Sequence, residues 1–477
     1  MSVPEPLHTD ILVAGDSLAA WLGALALSHW CPRLSITVAP YHGEDSAIAD
    51  PVVIARPEFR SLLTPLGLTE ADLVSQCDAS FLLATQYVGW AGETSVFHQA
   101  LGAFGAPANG AAFHHYYRRM QSSGQVPPYG AFSLAATMAL AGKFIHPAAN
   151  PRALESAFDY CLAMDAELLR DLVKQRALAA GVTQLPARVM GTAWSEGRIQ
   201  HLLLDGGGSA EADFYLDCTG TARGLTGAAG WSAMDARPYQ RDIGSVEVST
   251  GNLSLASATA RANVWHRETA LRSRRVTETF TYQSETTGHF GYLAAPWRGN
   301  CLALGRAACD LPALHAPAFS LLTRELSLLG ALLPAAPGKA RVEAREYNRR
   351  ALTAYRHMRD AQVLFEIAEG RRSGRPEPDL SDALTRKLEQ FTSRGRLVMY
   401  DDEILTESEW IACLLGLGFT PERLSPLALA APVEAVRANY QRFAERIGKS
   451  VARMPDQQTY IRHMLAQYAK ETSPDAV

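Results

Sequence analysis

No lysine occurs before Lys143 in this 477-residue chain, so no chemistry that needs an ammonium group can be carried by its first 142 residues. No CxxC pair occurs either: the seven cysteines (Cys31, Cys77, Cys161, Cys218, Cys301, Cys309 and Cys413) are odd in number and scattered. That pattern argues against a zinc site and a disulfide framework, so no metal is expected and a reducing compartment is. No uncharged apolar run approaches about twenty residues, so no membrane span is expected. The N-terminus, MSVPEPLHTD, lacks a basic segment, and the apolar run after it is broken by Gly15, Asp16 and Ser17, unlike a secretory leader. Together these features give a cytoplasmic expectation. A net charge of -4 offers no broad basic surface for nucleic acid. The local run LRSRR at residues 271–275 has no interleaved aromatics and reads as a solvated hairpin face. Internal repeats and low-complexity tracts are missing too. What remains is an ordinary globular composition, 47% hydrophobic and 20% charged.

The chain opens as a βαβ unit. Residues 10–14 (DILVA) form a short apolar run ahead of a turn signal, residues 18–28 (LAAWLGALALS) are rich in alanine and leucine, and residues 34–39 (LSITVA) alternate. Residues 58–66 and 70–77 read as helices, and residues 159–180 as one long amphipathic helix with Leu168, Leu169, Leu172 and Val173 at helical spacing. A hairpin is expected at residues 188–204 around Glu196-Gly197, followed by a returning strand at residues 212–216. Residues 242–285 alternate and read as β-rich. Beyond them, helices are expected at residues 315–333 and 343–369 and through most of the tail, with residues 370–379 as a loop.

A dinucleotide-binding turn after a first strand needs Gly-x-Gly-x-x-Gly, for the tight turn, the close approach of backbone to pyrophosphate, and helix packing. Here the string is Gly15-Asp16-Ser17-Leu18-Ala19-Ala20-Trp21. Ala20 is a mild change, Ser17 adds a Cβ at the close-approach position, and Asp16 places a carboxylate beside the diphosphate's place. A plain strand–turn–helix corner, with Asp16 or Ser17 as N-cap, is the other reading. The second strand ends in Ala39-Pro40-Tyr41 without the usual ribose-binding acid, and Glu44 and Asp45 lie further along.

Residues 78–90 (DASFLLATQYVGW) resemble the N-A-S-Y-K-x-A-x-K-F-x-N-W segment of flavin-dependent tryptophan halogenases through Asp78, Ala79, Ser80, Phe81, Ala84, Tyr87 and Trp90. Residues 15–21 resemble that family's G-G-G-x-A-G-W, with Gly15 kept. Residues 216–224 (LDCTGTARG) resemble its D-C-[ST]-G strand end near the adenylate. Residues 300–319 (NCLALGRAACDLPALHAPAF) resemble its long N-C-x-x-x-G segment through Asn300, Cys301, Gly305, Ala307, Ala308, Cys309, Leu311 and Leu314. Weaker likenesses occur at Trp265, Pro57, residues 346–350 (EYNRR), residues 355–360 (YRHMRD) and residues 460–463 (YIRH).

The resemblance implies an α/β chain with a Rossmann-like, glutathione-reductase-type FAD-binding flavoprotein monooxygenase fold. It implies a discontinuous FAD-binding-like domain over residues 1–340, including a β-rich substrate region at about 242–295, and a helical C-terminal region over 341–477. The cofactor would be FAD, with Gly15, Ser17, Ala20, Cys218, Thr219, Gly220 and Gly305 as the binding positions. The family uses a lysine and a glutamate to hold hypohalous acid against an electron-rich ring. Leu82 stands at the lysine's place, Gln86 at a second lysine's and His315 at the glutamate's, while Ala316-Pro317-Ala318 replaces the S-T-[SG] whose N–H groups serve halide.

An aliphatic side chain can neither hydrogen-bond to that oxidant nor form a haloamine, so the oriented reaction should be lost. The expected function is therefore a halogenase-like protein that does not halogenate and has impaired FAD binding, acting as a scaffold or binding partner. The alternative is an FAD-dependent monooxygenase that hydroxylates an aromatic, tryptophan-like or peptidyl substrate without a lysine. Expected partners are an aromatic small molecule or peptide, and a second copy or a halogenase-like protein as dimer partner. His315 is read either as a new base or as a capping or packing residue.

Overall fold

The computed structural model describes residues 7–43, 50–247, 251–283, 290–333, 340–375 and 377–471, so Glu44 and Asp45 lie outside the described residues. The chain divides into two compact units. The first comprises residues 1–78, 164–238 and 285–356, and the second residues 79–163, 239–284 and 357–477.

The first unit is built on a sheet whose core strands are parallel. Its order runs Trp297–Arg298, Cys301–Ala303, Ser209–Asp217, Leu7–Ala14, Ile36–Ala39 and Thr183–Gln184. The antiparallel hairpin Val189–Ser195/Arg198–Leu204 joins it through Ser209–Asp217. The central strands are apolar because both their faces are covered, as parallel strands require. Helix Leu18–Trp30, whose residues 20–27 are all buried, packs on helix Ala166–Ala179. This is the expected βαβ start, and it makes the fold a Rossmann-type α/β fold.

The expected single helix over residues 159–180 is corrected. Cys161–Asp165 is a fully buried strand, and the helix runs from Ala166 to Ala179. A short apolar run such as CLAMD suits a buried strand or a buried helix equally by pattern. The boundary is set by Asp165, whose Oδ1 accepts the N–H groups of Glu167 and Leu168 at 2.9 and 3.0 Å. A second correction concerns residues 370–379, because helix Arg341–Ser373 takes up the first part of the expected loop.

The second unit holds a six-stranded sheet in the order Tyr239–Glu247, Arg274–Tyr282, Val264–Ala270, Leu255–Ala260, Ala84–Val88 and Val96–Ala100. All its pairings are antiparallel except the one between Leu255–Ala260 and Ala84–Val88. The LRSRR run forms a hairpin turn there, closed by Leu271 N–H on Arg274 O at 2.8 Å. Helices, among them Asp382–Arg394, Glu407–Gly416 and Val433–Val451, make up most of the rest. Among the described residues, no helix is long and apolar enough to cross a membrane.

Candidate functional site

The carboxyl ends of the first unit's strands are stitched together by backbone hydrogen bonds. Gly15 N–H donates to Ala39 O (2.8 Å), Cys218 N–H to Ala14 O (2.9 Å) and Leu304 N–H to Asp217 O (3.0 Å). Gly15 sits at φ 120°, a conformation that L side chains rarely adopt. Above these ends lies a cleft of about 340 Å³, lined by Ser17, Leu18 and Ala19 at the start of the first helix, Pro40 and Tyr41 after the second strand, Cys218–Thr221 and Leu304–Arg306. In open α/β sheets this crevice is where a dinucleotide binds.

Of the sequence-derived cofactor positions, Ser17, Cys218, Thr219, Gly220 and Gly305 line the cleft. Gly15 forms the turn beneath it, and Ala20 is fully buried in the first helical turn. Ser17 is the N-cap. Its Oγ accepts Ala20 N–H at 3.4 Å and donates to Cys218 O at 3.0 Å, which ties the first turn to the other cleft segment. The added Cβ at this position thus brings a hydroxyl that anchors the loop.

Asp16 also lines the cleft, but its charge is compensated. Its Oδ1 accepts Trp21 Nε1–H at 2.6 Å, and Lys174 Nζ lies 3.4 Å away while standing over the Trp21 ring. Three further cations, Arg170, Arg188 and Arg306, line the same cleft. Sequence reasoning missed all three, along with Lys174, because they come from separate segments and carry no motif. Arg170 is paired with Asp171 and Arg306 with Asp310, both at 2.8 Å. Cationic lining, a helix N-terminus and glycine-lined backbone together fit a diphosphate-containing cofactor.

The loop after Ser209–Asp217 is organised by the buried Asp217 carboxylate. Oδ1 accepts Thr219 N–H and Oγ1–H, and Oδ2 accepts Leu225 N–H, Thr226 N–H and Thr226 Oγ1–H, at 2.7 to 3.2 Å. Gly224 N–H donates to Thr219 Oγ1 at 2.6 Å, and a Cβ on Gly224 would come within 2.4 Å of the Tyr41 ring. Behind the Gly305 segment, the buried Glu325 on helix Pro317–Leu332 accepts Gly305 N–H and Tyr355 O–H, both at 2.6 Å.

His315 and Ala316 adopt φ values of 66° and 46°, two successive left-handed residues just before Pro317 opens that helix. Such a pair is strained by about 1–2 kcal/mol per residue. The N-cap residue is Ala316, which makes no side-chain cap, so His315 is not the capping residue.

Leu82 lies in the second unit, in strand Ser80–Leu82, opposite Cys161 and 4% exposed. The strand is held on every side. Gln457 accepts Phe81 N–H (3.0 Å) and donates to Phe81 O (2.6 Å) and Ser254 Oγ (2.7 Å), while Ser80 Oγ–H donates to Ala270 O at 2.6 Å. Phe81 stacks on Phe144 at 4.1 Å, with His146, Tyr160 and Tyr460 edge-on to it. Lys143 sits beside Asp456, whose carboxyl is held below its ordinary range by Thr459 and, to a lesser extent, by that lysine. Trp265 stacks on Phe280 at 3.9 Å.

A chain of this fold, with a cleft at the carboxyl ends of its parallel strands, is a flavoprotein-type α/β protein. The tryptophan halogenase family model matches residues 10–290 and 289–433, and the chain belongs to that family. Solved structures agree in fold. BrvH, a flavin-dependent halogenase from Brevundimonas sp. BAL3, superposes with a TM-score of 0.86 at 24% identity, over 95% of this chain and 99% of its own. Xcc4156, a flavin-dependent halogenase from Xanthomonas campestris, gives 0.86 at 22% identity over 96% and 98%. The tryptophan 6-halogenase SttH from Streptomyces toxytricini gives 0.80 at 18% identity over 96% and 99%. Membership of this family implies FAD binding.

Proposed function

We propose that this chain is a member of the tryptophan halogenase family that does not transfer halogen at the family's position. One observation carries the reading: Leu82, buried in a strand pinned by Gln457, stands where the resemblance puts the catalytic lysine. A leucine offers no N–H donor and no nucleophilic nitrogen to an oxidised halogen. His315 in place of the glutamate, and Pro317 in place of a residue with an N–H, support the same reading.

The lining of the cleft bears on the two forms that reading can take. A scaffold or binding partner with impaired FAD binding rests on the lost glycines around Asp16. An FAD-dependent monooxygenase acting on an aromatic substrate needs the cofactor held. The compensation of Asp16 by Lys174 and the arginines lining the cleft favour the second form. FAD would be held by the Ser17–Ala19 turn, Cys218–Thr221 and Gly305, and would supply the redox chemistry that no side chain here provides. The chain's own task would be to bind the diphosphate and orient the ring system.

The test is a titration of purified protein with FAD, followed in the visible spectrum, and then incubation of the loaded protein with a flavin reductase, NADH, oxygen, chloride or bromide, and indole or a tryptophan-containing peptide. A hydroxylated product without halogenated product supports the monooxygenase. Failure to bind FAD returns the scaffold with impaired FAD binding, and stoichiometric FAD overturns that form. Halogenated product overturns the central proposal, as would halogenation in wild type at a rate matched by the double variant Leu82→Lys/His315→Glu.

A further inference from the structure

Glu325 is a fully enclosed carboxyl group that no chemistry described so far uses. It projects from helix Pro317–Leu332 into the back of the segment whose front lines the cleft. Its two oxygens have separate partners. Oε2 accepts Gly305 N–H at 2.6 Å, and Oε1 faces Tyr355 Oη at 2.6 Å. Gly305 has φ 62°, and a Cβ there would meet Ala19 Cβ, in the first turn of helix Leu18–Trp30, at 3.2 Å. The Gly305 segment is therefore fixed between Ala19 in front and Glu325 behind, with no slack.

Among the described residues, no cation is found acting on Glu325. From helix Arg341–Ser373 it faces the buried Tyr355 and Tyr347, and from strand Cys309–Asp310 it faces Cys309, all weak acids that burial keeps protonated. The charged groups on neighbouring helices, Glu58 and Arg350, act on Arg324 instead. Burial consequently pushes the Glu325 carboxyl up to about 8, against the two hydrogen bonds it accepts. When it is protonated, the proton sits on Oε1 towards Tyr355, because Oε2 is committed to the Gly305 amide. When it is ionised, the bond to Gly305 becomes charge-assisted and a full negative charge stands one residue behind the cleft wall.

We propose that Glu325 is a proton-linked positioning residue of the dinucleotide cleft: the carboxyl that fixes Gly305 from behind takes up a proton when a diphosphate occupies the front. This rests on the reading that the cleft binds FAD. A diphosphate and an ionised Glu325 repel each other across a thin, low-dielectric wall, so filling the cleft favours the neutral acid. Linkage is reciprocal, so affinity for the diphosphate falls as the acid ionises.

The experiment is isothermal calorimetry of the wild-type protein with FAD, and with ADP as a flavin-free probe, at pH 8 in two buffers of different ionisation enthalpy. Uptake of a substantial fraction of one proton per bound ligand is expected. In parallel, Kd is measured from pH 6.5 to 9.5 for wild type and Glu325→Gln, whose amide keeps both hydrogen bonds but cannot titrate. Wild type is expected to weaken several-fold across this range while Glu325→Gln stays flat, with wild-type-like affinity at pH 6.5. Binding without proton uptake at pH 8, or equal pH profiles for the two proteins, overturns the inference and leaves the cofactor reading standing. Failure of wild type to bind either probe at any pH overturns both.

Discussion

Asp16 Oδ1 lies 2.6 Å from Trp21 Nε1, five residues on along the same helix start, and Lys174 Nζ approaches the same oxygen at 3.4 Å over the Trp21 ring. A carboxylate that the sequence places against a diphosphate is thereby turned into one half of a compensated pair. The pair is partly exposed, so its own strength is below about 1 kcal/mol. Its consequence for cofactor affinity is still measurable. Lys174→Ala should weaken FAD binding by roughly three- to fivefold, because the uncovered carboxylate then faces the diphosphate. Asp16→Asn should strengthen it, and in that background Lys174→Ala should change the affinity by less than about twofold, so that the double variant resembles Asp16→Asn. Fluorescence titration of FAD gives all four corners of this cycle. Additive effects would show that Asp16 and Lys174 do not act as a unit.

Asp217 makes a second, larger prediction. Its side chain is 0% exposed and accepts five hydrogen bonds from Thr219, Leu225 and Thr226. Asp217→Ala leaves buried donors without acceptors, at about 1–3 kcal/mol for each that water cannot reach. A loss of at least ~3 kcal/mol in urea unfolding is expected, with Asp217→Asn losing less because one acceptor oxygen remains. A loss under about 1 kcal/mol for the alanine variant would mean the loop does not depend on this carboxylate.

Much of this was legible in the chain. The first strand, helix and second strand follow from an apolar run, a leucine–alanine run and an alternating run in succession, and the structure has them at Leu7–Ala14, Leu18–Trp30 and Ile36–Ala39. The motif around Cys218 led to the cleft because a strand end and its glycine are adjacent in sequence. Arg170, Arg188 and Arg306 could not be found that way, since they reach one cleft from a helix, a strand's approach and a 3₁₀ turn. The partner of Asp16 is hidden in the sequence for the same reason: Lys174 is 158 residues away. The parallel pairing of Ala84–Val88 with Leu255–Ala260 was equally silent, because register between distant strands is set by packing rather than by local pattern.

Glu325 should also leave a mark on folding stability. Its carboxyl stands at about 8 in the folded chain against an ordinary 4.5. The native state therefore holds a proton that the unfolded state has released between those values, so this group's contribution is complete below about pH 4.5 and is lost as pH rises through 8. Glu325→Gln removes the titration. Relative to wild type, the variant should gain stability with rising pH across that window, by up to ~1.4 kcal/mol per pH unit. Urea midpoints at pH 5, 6.5 and 8 test it. A constant difference between the two proteins would place the carboxyl in its ordinary range.

Lys387 and Glu403 form an ion pair of a different kind, in the second unit. Both side chains are 2% exposed, and Nζ lies 2.8 Å from Oε1 while also donating to Val398 O at 2.7 Å and standing 4.3 Å from the Trp410 ring centroid. Burial lowers the affinity of Lys387 for its proton, and the bond to Glu403 and its charge oppose that. His357 and Asp360 share the neighbourhood, and burial pushes the Asp360 carboxyl up to about 6. Removing one partner leaves an isolated buried charge, which costs about 3–5 kcal/mol. Lys387→Met and Glu403→Gln should each destabilise by that amount in urea unfolding at pH 7. The double variant should lose clearly less than their sum, because no uncompensated charge remains inside. Simple additivity would show that the two side chains are solvated independently and that the pair is not closed in solution.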